Sequence, residues 1–141
     1  MMINYETLQK LLIHLKRQFE NHLAADKRLE LSDLDREALA ESVIQHFETC
    51  YDTLWKILKH YLADELGLVN VPNSPKPVFR LANENNLLSS PIEQWLLYAS
   101  ARTRTAHDYS NKKAMECLQT IPQFIDDAAK LYQTLTDESL P

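Results

Sequence analysis

Between residues 102 and 109 the chain reads Arg102-Thr-Arg-Thr-Ala-His107-Asp-Tyr109. A guanidinium, an imidazole and a phenol fall within one short segment. Arginine holds a phosphate through paired hydrogen bonds and stabilises the charge that develops when phosphorus is attacked. Histidine, with an unperturbed pKa of ~6.5, donates or accepts a proton near neutrality. RNA brings its own nucleophile, the 2′-hydroxyl, so an Arg/His pair can cleave it without a metal ion. Arg102, Arg104, Lys112 and Lys113 stand against Asp108 as the only acid from 102 to 113. This basic island on an acidic chain suits a phosphate ligand. Taken alone, the R-x4-H spacing is a weak motif, because an Arg and a His at a helix end often serve as a solvated C-terminal cap.

Helices must position these groups. The chain has 141 residues, 45% hydrophobic and 25% charged, with one glycine, Gly67, and six prolines. That suits one soluble domain, residues 1–141, with a real core. Tight β-turns draw heavily on glycine, so its scarcity points to long helices with few connections. Leu8, Leu11, Leu12, Leu15, Phe19, His22 and Leu23 trace one helix face from about Tyr5 to Ala25. Ser32 and Asp33 cap a second helix, whose stripe runs from Leu39 to Leu62 and which Gly67 ends. Val71 to Pro77 reads as a proline-stiffened loop before a short helix from Val78 to Asn85. Ser90-Pro-Ile-Glu93 has the pattern of a capping box and starts a fourth helix through Trp95, Ala99 and Thr103. Asp108 to Asn111 breaks it. A fifth helix carries Ala114, Cys117, Leu118, Ile121, Ile125, Ala128, Leu131 and Leu135, with Pro122 expected to kink it. Residues 136–141 read as a frayed tail. The expected architecture is all-α, an up-and-down bundle of about five helices.

The net charge of −5 argues against bulk electrostatic coating of nucleic acid. The chain begins without a basic-then-apolar leader and has no apolar run of ~20 residues, which implies a cytoplasmic protein with no membrane span. Cys50 and Cys117 fall on apolar faces and read as buried free thiols. His14, His22, His46 and His60 lie scattered on two helices and lack metal-ligand spacing. No metal or cofactor is expected. Trp55 and Trp95 read as core or interface residues, Ser89 and Ser90 as capping residues, and Asp33, Asp35, Asp64 and Glu65 as solvated helix-end charges. No Gly-Ser followed by Asp-x-Asp is present, so the chain is not expected to transfer nucleotides itself. On an ideal helix Arg102 and His107 lie ~140° apart, so a joint site needs a loosened helix end or a second copy of the chain.

From Leu34 to Leu135 the chain resembles the small helical HEPN proteins, in particular their nucleotidyltransferase substrate-binding branch. The likeness is carried by Val43-Ile-Gln-His-Phe-Glu48, Leu54-Trp-Lys56, Ser74-Pro-Lys-Pro-Val-Phe-Arg80, Trp95 and Arg102…His107-Asp-Tyr109. The resemblance implies a HEPN-like helical homodimer whose partner is a minimal nucleotidyltransferase. In the toxin members it implies metal-independent cleavage of RNA at a dimer cleft. Arg102 would then hold the scissile phosphate and His107 would be the acid/base. Thr103 and Arg104 would support the phosphate, and Tyr109 would receive AMP from the nucleotidyltransferase acting as antitoxin. The usual Asn after the Arg is Thr103 here, which lacks an amide's paired donor and acceptor. The alternative is a non-catalytic substrate-binding or docking subunit of a two-component nucleotidyltransferase, and Thr103 favours it.

Overall fold

A computed structural model describes residues 3–107 and 111–141; the side chains of 105–107 and 111 are outside the described atoms. The described residues are all helical or loop, with no strand. Five α-helices follow one another: α1 Tyr5–Ala24, α2 Asp33–His60, α3 Pro75–Glu84, α4 Ile92–His107 and α5 Asn111–Thr136. The long α2 touches each of the other four, and α1 and α4 each also pack on α5.

Local chemistry explains most of the boundaries. Asn4 accepts the Thr7 N–H at the start of α1. At α2 a complete capping box forms, with Asp35 N–H on Ser32 Oγ and Ser32 N–H on Asp35 Oδ2. The α-helical ladder of α2 ends at His60 and continues as a wider π-turn over Tyr61–Glu65. Gly67, at φ +66°, then reverses the chain and lets Leu68 N–H reach the Leu62 carbonyl.

Two expected boundaries differ. α3 begins at Pro75 rather than Val78, so Pro75 and Pro77 belong to its first turn instead of a loop. Both prolines lack an N–H where the first turn has no intrahelical acceptor, and their fixed φ is already helical. Ser90 does not act as the expected cap: α4 starts at Ile92, and the Ser90 hydroxyl donates to Asp127 of α5. α5 runs through Pro122, whose ring is on the exposed side.

The centre of the bundle is aromatic. Phe47 and Tyr51 of α2, Phe79 of α3, Trp95 and Tyr98 of α4 and Phe124 of α5 are all at most 1% exposed. Their rings pack edge-on, tilted or stacked, with Phe47–Phe124 and Phe79–Trp95 centroids 5.0 Å apart. Such pairs add about 0.5–1.5 kcal/mol each beyond area burial. The fully buried Asp127 carboxylate accepts from Ser90, Tyr98 and Gln123 and so ties α4 to α5. Cys50 and Cys117 are buried free thiols. Leu23, expected on the core face of α1, is exposed.

Candidate functional site

Glu48, Tyr51, Asp52, Trp55 and Lys56 of α2 follow i, i+3, i+4, i+7, i+8 spacing and form one stripe along the helix. Ala99, Arg102 and Thr103 form a matching stripe on α4. Between them the first turn of α3, Ser74 to Pro77, closes one side of a cleft of about 620 Å³. Ala99 is small and nearly buried, so no bulky side chain fills that position of α4.

Arg102 is the best-anchored side chain here. Its Nε and Nη2 donate to the two carboxylate oxygens of Asp52 at 3.1 and 3.0 Å, a bidentate fork. Its Nη1 donates to Glu48 Oε2 at 2.8 Å. Glu48 and Asp52 are four residues apart on α2, so one face offers both acids to one planar cation. The Arg102 and Glu48 side chains are 26% and 12% exposed, so the contact is largely shielded from water. Thr103 turns its hydroxyl back to the Ala99 carbonyl at 3.1 Å. Arg104 pairs with Glu116 of α5 at 3.2 Å on the surface.

The two arginines of the basic island read from the sequence are therefore met by acids from other helices. Glu48 and Asp52 come from α2, and Glu116 from α5. Among the candidate residues the structure brings Arg102 and Thr103 to the cleft and places Arg104 on the α5 side. His107 is the last residue of α4, with its side chain outside the described atoms, and Tyr109 lies outside the described residues.

The sequence reading missed Asp52 and Tyr51 as site residues, and Glu48 and Lys76 entered it only inside family strings. A usable signal was present. Two acids at i and i+4 beside the apolar stripe of α2 form a ready receptor for a buried arginine. Tyr51 is 1% exposed. Burial pushes its phenol pKa up, and Asp52 pushes it further against a smaller opposing effect of Arg102. It is therefore a neutral O–H donor. Lys56 Nζ lies 5.9 Å from the Trp55 ring centroid, and Trp55 is half-buried at the cleft wall. Among the described residues no group of three His, Cys, Asp or Glu is placed to hold a metal, and no helix is long and apolar enough to cross a membrane.

Solved structures share this architecture. A Thermus thermophilus protein is 27% identical, covers 92% of this chain and 98% of its own, and superposes with a TM-score of 0.74. A Haemophilus influenzae protein, described as having the fold of a substrate-binding domain of a nucleotidyltransferase, is 22% identical with a TM-score of 0.83. That match covers 94% of this chain and 98% of the other. No curated protein matches the chain. The pattern of the nucleotidyltransferase substrate-binding-like proteins matches residues 3–137, nearly the whole sequence, and the chain belongs to that family.

Proposed function

We propose that this chain is the substrate-binding or docking subunit of a two-component nucleotidyltransferase, working through the cleft between α2, α3 and α4. The observation that carries this reading is the Arg102 clasp. An arginine that stabilises a scissile phosphate must present its fork to the substrate. Here three of its nitrogens donate to Glu48 and Asp52, so Arg102 acts first as a brace that holds α4 against α2. What the brace shapes is an open cleft bearing Trp55, Lys56 and Lys76. Family membership supports a nucleotidyltransferase as the partner.

The test is co-expression with a minimal nucleotidyltransferase from the same genome, followed by size-exclusion chromatography. A stable complex that survives His107→Ala is expected. Failure to bind any such enzyme would overturn the proposal. A second reading draws on the register Arg102…His107…Tyr109. In it a homodimer cleaves RNA without metal through Arg102 and His107, Thr103 and Arg104 support the phosphate, and the partner silences it by placing AMP on Tyr109. This reading requires Glu48 and Asp52 to release Arg102. Cleavage in EDTA that disappears in both Arg102→Ala and His107→Ala would carry it, and intact RNA would retire it.

A further inference from the structure

A second recess opens at the end of the bundle where α1 begins, α5 ends and the π-turn follows α2. It holds about 430 Å³ and shares no lining residue with the cleft described above. Tyr5 and Glu6 come from the first turn of α1, Glu65 from the π-turn, and Tyr132 and Leu135 from the last turns of α5, with Glu138 just beyond. Among the described residues no lysine, arginine or histidine lines it.

The charge is one-sided even after local pairs are counted. Glu6 is paired with Lys10 at 3.2 Å and is set aside. Glu65 and Glu138 make no ion pair among the described residues. The positive end of α1 is met by its own Asn4 cap and by Glu6. α5 and the π-turn both end here without a basic residue in the last turn, so the negative ends of two helical segments add to the two carboxylates.

Tyr132 carries the case beyond charge. It is 3% exposed and yet lines the recess, and its hydroxyl makes no hydrogen bond among the described residues. Phenylalanine would pack there without an unmet phenol. Tyr5, half-buried, likewise has no side-chain hydrogen bond among the described residues. Burial pushes its phenol pKa up to about 12, and the nearby Glu65 carboxylate and Tyr61 add to the rise. A phenol beside a carboxylate offers a cation both an electron-rich ring face and an acceptor oxygen.

The surroundings select an organic cation over a metal ion. Among the described residues no group of three His, Cys, Asp or Glu is placed to hold a metal. Leu135, 8% exposed, and the two tyrosine rings give apolar surface that a methylene stem covers and a hydrated metal ion does not use. The volume lies within the roughly 300–1,000 Å³ of small-molecule sites.

We propose that this recess binds a primary ammonium carried on an aliphatic stem, as in a free alkyl polyamine or a lysine side chain of another protein. Its N–H groups donate to Glu65, Glu138 and the Tyr132 oxygen, its charge lies against the rings of Tyr5 and Tyr132, and its methylenes cover Leu135. The inference does not depend on the nucleotidyltransferase reading.

Isothermal titration calorimetry at low salt tests it on the full chain, with spermidine, cadaverine, a lysine tripeptide blocked at both termini, and magnesium chloride. At least one of the three amines binds saturably, and magnesium ion binds more weakly than it. Glu65→Gln and Glu138→Gln each weaken that binding about 1.5- to 5-fold, the worth of one exposed ion pair. Both side chains are exposed, so these variants keep the fold. Tyr132→Phe weakens binding about twofold to tenfold, the range of one neutral hydrogen bond. Binding of spermidine or cadaverine with a silent peptide assigns the site to a free polyamine, and the reverse assigns it to a partner's lysine. Absence of saturable binding of all three amines at millimolar concentration would overturn the proposal. So would equal affinity for magnesium ion, or unchanged affinity in the Glu65→Gln/Glu138→Gln double variant.

Discussion

Replacing Arg102 with alanine removes the link between α4 and α2 and leaves two carboxylates behind it. The Glu48 contact is the larger part, because the Glu48 side chain is only 12% exposed and its bond to Nη1 is 2.8 Å. A charge-assisted hydrogen bond in such a setting contributes about 1.5–3 kcal/mol. Asp52 is 37% exposed, so its two bonds are partly screened and add about 0.5–1 kcal/mol. Glu48 and Asp52, facing each other at i, i+4 without their cation, repel by a few tenths of a kcal/mol. Arg102→Ala is therefore expected to cost about 2–4.5 kcal/mol, or roughly 6–14 °C in melting temperature for a chain of this size. Arg102→Lys keeps the charge and loses the planar fork, so it recovers only part of the loss. Urea denaturation of wild type, both variants and the Glu48→Gln/Asp52→Asn double variant measures this. In the double-variant background Arg102→Ala costs less, since no carboxylate is stranded. A loss under about 0.5 kcal/mol for Arg102→Ala in the wild-type background would refute the clasp, because a solvated arginine at a helix end has that little effect.

Three further outcomes follow from the packing. Asp127→Ala strands the donors of Ser90, Tyr98 and Gln123 and is expected to cost about 3–4 kcal/mol by urea denaturation, while Asp127→Asn costs about 1–2 kcal/mol. Ser32→Ala opens the capping box of α2 and is expected to lower stability by about 1 kcal/mol. Burial pushes the Cys117 thiol up from an ordinary 9.0 to about 12, and nearby Glu48 adds to the rise. The unfolded chain then loses this proton first, so stability is full below about pH 9 and falls as pH rises toward 12. Cys117→Ala flattens that slope in melting curves, and an unchanged slope would assign it to other groups.

The helices were legible because their signals are local. Apolar spacing marked α1, α2, α4 and α5, and Ser32 and Gly67 punctuated the chain as their chemistry requires. Local signals also misled where tertiary partners competed. Ser90 looks like a cap until Asp127 of α5, 37 residues away, offers a buried carboxylate to its hydroxyl. Pro75 and Pro77 look like a loop because proline breaks helix interiors, whereas in a first turn it removes nothing that the helix uses.

The sequence by itself determined an all-helical chain, the placement of Arg102 near the end of α4, and a family pattern spanning nearly every residue. It could not say what Arg102 touches. That depends on the rotation and depth of α2 against α4, set by the aromatic packing of Phe47, Tyr51, Trp95, Tyr98 and Phe124. This packing brings Glu48 and Asp52, about fifty residues earlier, onto one guanidinium, and turns Tyr51 and Trp55 toward the cleft. Spacing along a helix shows which residues share a face, and only the packed bundle decides what that face meets.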